Sequence, residues 1–213
     1  MVPHYLNTKL PFVFAGVNWD ASSYGYPASN VTGMIEVTPT SELVGILRSM
    51  SAGNRVGFLA ADTDTEHKEV RNVERLFNIG MKVKFVSKMT DWKKAFIEFQ
   101  STVDVLVVGV TAGINDFSND EVAKFVLKNT KIPTGGYQKG MREFTLLCFE
   151  KVAEEQGHWA AKTALRILDG AKPSSIKLAR NKKGYIVVNG RIAQSGGFDI
   201  PEEVIEVADL IIE

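Results

Sequence analysis

Residues 54–69 read NRVGFLAADTDTEHKE, and this stretch decides the fold. Residues 55–60 are small and apolar after Arg55, short enough to form one buried strand. The chain then turns polar at Asp62 and opens a helix over 62–78. Thr63 and Glu66 have the spacing of a capping box, Val70, Val73 and Phe77 share one helical face, and Gly80 stands where a C-capping glycine belongs.

Working outward, the same rhythm repeats. A second strand over 82–86 leads to a helix from Asp91, with Trp92, Ala95, Phe96 and Phe99 as one apolar stripe. The third strand, 103–109, is the most apolar in the chain. Ser118 and Glu121 then form a second capping-box pattern, with Val122, Phe125 and Val126 facing the core. Ile132 marks a short fourth strand, and 144–149 a fifth. Strands and helices alternating at this spacing specify a doubly wound parallel sheet, with helices on both faces. Ligands of such sheets sit beyond the carboxyl ends of the strands. The loops holding Asp62, Thr63 and Asp64, Thr111 to Asp116, and Gly135, Gly136 and Tyr137 therefore share one rim.

The two ends read as parts of a second, incomplete lobe. They hold a strand over 11–17 and a helix over 41–50, with Leu43, Ile46, Leu47 and Met50 inward. A helix over 156–169, closed by Gly170, is followed by a strand or hairpin within 176–189 and a last helix from Pro201. The expected division is 1–53 and 150–213 as a partial first lobe with hinge crossings, and 54–149 as a complete Rossmann-like lobe.

Composition narrows the function. Lys plus Arg and Asp plus Glu each number 25 among 213 residues, so no global field recruits nucleic acid or an anionic membrane. One cysteine, Cys148, excludes an internal disulfide, and its apolar setting, FTLLCF, marks it as a packed side chain. His4, His67 and His158 are dispersed, with no H-E-x-x-H helix, so neither a metal nor another cofactor is expected. No apolar stretch reaches the ~18 residues of a membrane span. The opening MVPHYLNTKL has no apolar signal-peptide region, which places the chain in the cytoplasm if Met1 is the start.

Local motifs each have two readings. Asp62-Thr63-Asp64 after a strand has the look of a haloacid-dehalogenase nucleophile loop, but Glu66 stands where that pattern has threonine or valine. A phosphatase or other α/β hydrolase using Asp62 is the alternative function. The glycines of TGGYQKG (134–140) make no phosphate loop and read as a turn. Asn30-Val31-Thr32 fits a glycosylation sequon. His67, in the first helical turn, reads equally as a ligand contact or a solvated histidine. The segment FVFAGVNWDASSYGYPASNVTG (12–33) differs. Its strand empties into Asn18, Trp19 and Asp20, with Tyr24 and Tyr26 following, and flat rings beside an amide and a carboxylate suit a small-molecule cleft. No nucleophile–base pair emerges, which favours binding over catalysis.

The stretches LPFVFAGVNWD (10–20), NVTGMIEV (30–37), EEQGHWAAKTALRILDGAKPSSIKL (154–178) and VVNGRIAQSGGFDIPEEVIEVADLII (187–212) occur in an order and spacing that resembles the TrpX-like substrate-binding proteins of ABC transporters. The resemblance runs from about residue 9 to the end. It implies a type I periplasmic-binding-protein fold whose two lobes close on a small solute such as an amino acid or sugar, without catalysis, for transport or as a derived sensor. Family members carry further βα units and a secretion signal before the LPFVF strand, so this chain corresponds to a member lacking roughly the first third. The resemblance also implies an ABC permease as partner and a periplasmic or membrane-associated extracytoplasmic location. Asn18, Trp19, Asp20 and Tyr24 are then the first lobe's ligand contacts. Asp62, Thr63, Asp64, His67, Thr111, Asn115, Gly136 and Tyr137 are those of the second. An incomplete lobe exposes an edge strand, for which a homodimer is the expected cover.

Overall fold

The computed structural model describes residues 2–213. In chain order the strands are β1 (Phe12–Asn18), β2 (Val31–Glu36), β3 (Val56–Ala61), β4 (Lys82–Val86), β5 (Val105–Val108), β6 (Thr134–Gly136), β7 (Leu147–Lys151), β8 (Ala179–Arg180), β9 (Gly184–Asn189) and β10 (Leu210–Ile212). The helices are α1 (Thr40–Ser49), α2 (Asp64–Phe77), α3 (Met89–Thr102), α4 (Asn119–Asn129), α5 (Ala153–Leu168), α6 (Gly190–Gly196) and α7 (Glu202–Glu206). They fall into two units, Met1–Thr38 with Lys151–Lys183, and Pro39–Glu150 with Gly184–Glu213. Helix α1 and everything from Gly184 onward thus belong with the larger sheet, whereas the sequence reading grouped them with the first lobe.

The larger unit carries a seven-stranded sheet in the order β10-β9-β7-β6-β5-β3-β4. The neighbours β10–β9, β7–β6, β6–β5, β5–β3 and β3–β4 pair in parallel. Period-two alternation sorts its side chains. Val56, Phe58 and Ala60 of β3, with Val105 and Val107 of β5, pack beside Leu43, Val44 and Leu47 of α1. Leu59, Ala61, Leu106 and Val108 face the other way, onto Trp92, Phe96 and Phe99 of α3 and Val122 and Val126 of α4. A strand buried on both faces needs an apolar residue at every position, and RVGFLAA supplies that pattern around one glycine.

Several expected boundaries move for physical reasons. The fourth strand is β6, not Ile132. Pro133 has no N–H to give, yet its carbonyl accepts the Leu106 amide at 3.0 Å, and the ladder runs on through the glycines that had read as a turn. A Cβ on Gly135 would lie 2.7 Å from a Leu43 methyl, so that glycine is what lets α1 lie against the sheet. Helix α3 begins at Met89 rather than Asp91, because the Asp116 carboxylate accepts the Met89 amide at 2.9 Å. Asn78 (φ 48°), and not Gly80, caps α2, and its amide bonds to the Glu74 carbonyl. Phe77 is 39% exposed; the face of α2 that turns inward carries Glu66, Glu69, Asn72 and Val73.

In the smaller unit the sheet order is β1-β2-β8, all parallel, with α5 packed on β1 and β2. Its apolar cluster comprises Ala21, Tyr26, Val31 and Ile35, with Phe12, Phe14 and Leu178 against it. The expected strand or hairpin at 176–189 is instead two strands in two sheets. The turn before β9 is held by Glu155, whose carboxylate accepts the Lys182 and Lys183 amides at 3.0 and 2.8 Å. Strand β10, which follows α7, had no counterpart in the sequence reading. Among the described residues no helix is long and apolar enough to cross a membrane.

Candidate functional site

In the larger unit the chain leaves β3 for β4 on one side and then crosses to β5 on the other. Adjacent parallel strands whose connections run in opposite directions open a crevice at their carboxyl ends. Three segments border it: Asp62-Thr63 and the first turn of α2, the loop 109–118 after β5, and Tyr137 after β6.

The expected residues divide into two layers there. Asp62, Asp64 and Asn115 are exposed, while Thr63, His67 and Thr111 are half-buried. His67 Nε2 lies 2.8 Å from Asp62 Oδ1 and, protonated there, donates to it. The His67 ring also rests 3.9 Å, centroid to centroid, from that of Phe85, at the end of β4. Carboxylate, imidazole and benzene ring thus follow one another in contact, the two rings tilted 36°, and Phe85 is a neighbour that the sequence reading did not single out. Thr63 is occupied locally, its hydroxyl accepting the Glu66 amide at 3.4 Å as the helix N-cap. The Thr111 carbonyl accepts the Ile114 amide at 3.1 Å, which folds the β5 loop back on itself.

Gly136 and Tyr137 form the lower layer. A Cβ on Gly136 would meet the Met141 side chain at 2.8 Å. Tyr137 is 3% exposed, and its hydroxyl donates to Glu66 Oε2 at 2.9 Å. Burial, and then the charges of Glu66 and Glu69, push its phenol well above the usual range. Cys148, also buried, donates to the Gln138 carbonyl at 3.1 Å, and burial pushes its thiol up, so it is no nucleophile. Among the described residues no group of three or more His, Cys, Asp or Glu side chains could hold a metal ion.

The loop after β1 in the smaller unit is built differently. Trp19 takes a left-handed backbone (φ 64°), its amide bonds to the Glu36 carbonyl at 2.9 Å, and it is 4% exposed. The Asp20 carboxylate accepts the Ser22 amide at 2.8 Å and the Ser22 hydroxyl at 2.9 Å, pinning the short turn Ser22–Tyr24. Tyr24 presents the open aromatic face, stacked on Tyr26 at 5.8 Å. Asn18 is exposed at the strand's end.

Beside this loop lies a polar knot with no sequence signature. The Glu36 carboxylate pairs with Lys151 and accepts from Gln156 Nε2 at 2.6 Å, while Gln156 Oε1 accepts the Gly16 amide at 2.7 Å. Burial pushes the Glu36 carboxyl up, but the hydrogen bonds from Lys151 and Gln156, with the Lys151 charge, outweigh it and leave the pKa below the ordinary value. Its parts are more than a hundred residues apart in the chain, beyond the reach of any local motif.

Comparison with known proteins follows the same lines. The family model described as ABC transporter substrate binding protein matches residues 2–212. No curated protein sequence matches the chain. Among solved structures, an ABC domain from Streptococcus pneumonia in complex with L-Trp is 22% identical, with a TM-score of 0.62, over 96% of this chain and 74% of that one. A ligand-free, open substrate binding protein with adhesive properties from Clostridium difficile is 17% identical, with a TM-score of 0.73, over 97% of this chain and 72% of that one. A conserved domain protein from Vibrio cholerae is 18% identical, with a TM-score of 0.60, over 94% of this chain and 71% of that one.

Proposed function

The chain belongs to the ABC transporter substrate-binding protein family, and from that premise we propose that its solute is an amino acid with a flat side chain. Members of this family bind solutes for uptake and do not turn them over, so the chain is a solute-binding component and not an enzyme. The observation that carries the ligand class is the surface formed by Asp62, His67 and Phe85. An exposed carboxylate suits an ammonium group, and the half-buried His67 ring, tilted 36° over Phe85, offers an aromatic face beside it to a side chain. The L-Trp held by the Streptococcus pneumonia structure agrees with that chemistry.

The proposed contacts are Asp62, Thr63, Asp64, His67, Thr111 and Asn115 in the larger unit, with Gly136 and Tyr137 supporting them from below. Asn18, Trp19, Asp20 and Tyr24 are the smaller unit's candidates. An ABC permease is the family's partner. For this chain we further propose an extracytoplasmic location and self-association as a homodimer.

Calorimetric titration with L-tryptophan, L-phenylalanine, L-leucine and D-glucose tests the reading. Saturable binding of the aromatic amino acids, weakened about tenfold in Asp62→Asn by loss of a charge-assisted contact, is the expected result. Binding of glucose and none of the three amino acids would overturn it.

A further inference from the structure

The rim groups come from three separate connections, and one residue joins them: it belongs to the first, and its buried side chain touches the other two. Glu66 is in the first turn of α2 and is 1% exposed. Its Oε2 accepts the Val110 amide at 3.0 Å, at the start of the loop after β5. The same oxygen accepts the Tyr137 hydroxyl at 2.9 Å, from the residue that follows β6. Its own amide donates to Thr63, directly after Asp62. The surrounding sequence is cut to fit this carboxylate: a Cβ on Gly109 would stand 2.4 Å from Glu66 Oε2 and 2.6 Å from the Ala60 Cβ. Thr40 donates to the neighbouring Glu69 at 3.5 Å, so α1 enters the same buried patch.

We infer that Glu66 is the positioning residue of the solute rim, fastening the β3, β5 and β6 connections to one another so that the contact groups are in place before the solute arrives. This rests on the reading of the rim given above. Glu66 touches no solute itself; it acts through Val110 on the loop that carries Thr111 and Asn115, and through Tyr137 on the floor. Removing an acceptor shared by two donors costs most where water cannot replace it: the buried Tyr137 hydroxyl would be stranded, and the half-buried Val110 amide would lose its acceptor. A rim held in this way gives affinity by lowering the ordering cost of binding.

The experiment uses the full chain in three forms: wild type, Glu66→Ala and Glu66→Gln, with Tyr137→Phe as a milder variant should the alanine form not fold. Amide hydrogen exchange is followed without solute, and L-tryptophan affinity is measured separately. In Glu66→Ala, amides of 110–116 and 137–138 should exchange roughly tenfold faster or more, as expected for one or two lost buried bonds. Amides inside β3 and β5 should stay at the wild-type rate. Glu66→Gln, which keeps an acceptor oxygen at the same reach, should return the loop amides close to wild type, and Tyr137→Phe should loosen 137–138 alone. Affinity for L-tryptophan should fall about tenfold in the alanine form and recover in the glutamine form. Acceleration of all core amides together would overturn the inference, since Glu66 would then serve global stability. Unchanged loop exchange would overturn it as well. Loosened loops with unchanged L-tryptophan affinity would overturn the solute role of the rim while the fastening stood.

Discussion

The Phe14 ring lies in the space that a side chain on Gly33 would need: a Cβ there would come within 2.4 Å of the ring. β1 and β2 are neighbours in register at this pair, and Phe14 also stacks on Tyr26 at 5.1 Å, so moving the ring would break that stacking. Gly33→Ala should therefore destabilise the smaller unit by about 1–3 kcal/mol, the usual cost of overpacking. Chemical denaturation measures this, and the Gly33→Ala, Phe14→Leu double variant should recover part of the loss.

Asn30 explains the polar step before that glycine without any glycan. Its Nδ2 donates to the Tyr5 and Leu10 carbonyls at 2.8 and 2.6 Å, and its Oδ1 accepts the Asn7 amide at 2.7 Å. Asn30→Asp puts an acceptor against two carbonyls and should cost about 2 kcal/mol or more. Limited proteolysis should then cut within residues 5–10 faster than it does in the wild-type chain. Since Asn30 is buried, expression in a glycosylating host should add no sugar there.

A pH effect follows from Asp104 at the amino-terminal edge of the larger sheet. Its carboxylate accepts from Arg55 Nη2 at 2.7 Å, Arg55 Nε at 2.9 Å and the Arg55 amide at 2.8 Å. Those hydrogen bonds from Arg55 hold its pKa down at about 2, against an ordinary 3.8. A carboxyl whose folded pKa is depressed binds its proton more readily when unfolded. Its contribution is thus fully present above pH ~4 and lost as pH falls towards 2. The stability gap between wild type and Asp104→Asn should be constant from pH 5 to 7 and close between pH 4 and 2, as read by urea denaturation at each pH.

What the sequence disclosed, and what it hid, has a physical pattern. The β3-α2-β4-α3-β5 run was legible because strands buried on both faces and amphipathic helices differ in period, and because Thr63 and Ser118 do accept the Glu66 and Glu121 amides as N-caps. β6 was illegible because Gly135 answers to the leucines of α1, a contact across about ninety residues that no local pattern records. Glu66 was read as the end of a capping box and as a departure from a phosphatase loop, not as a link between loops. Its carboxylate reaches Val110 and Tyr137, and that partnership exists only once the three connections converge. The rim's exposed residues Asp62 and Asn115 were legible as residues in loops after strands, and His67 as a residue of the helix start that follows, whereas Phe85, within β4, carried no such mark. Lys151 and Gln156 were invisible for the same reason as Gly135: their meaning is tertiary.

The remaining prediction concerns the smaller unit's free edge. Among the described residues β1 has a neighbouring strand, β2, on one side only, so its other side offers alternate backbone N–H and C=O groups to a partner. Beside it is an apolar recess of about 310 Å³ lined by Pro11, Val13, Ala164, Ile167 and Leu168. Leu168 is 80% exposed and Leu165 is exposed next to it, an arrangement that water disfavours on a lone molecule. One edge is partly guarded already, since the Gln156 side chain accepts the Gly16 amide, which limits pairing to the residues before it. A second copy meeting the first across a two-fold axis places the same strand and the same leucines opposite themselves, the commonest closed arrangement for a homo-oligomer. Sedimentation velocity at micromolar concentration should therefore show a dimer. Leu168→Glu, a change at an exposed helical position that the fold tolerates, should shift the boundary to monomer with the circular dichroism spectrum unchanged. A wild-type monomer at these concentrations, or a dimer indifferent to Leu168→Glu, would show that this edge is not the dimer contact.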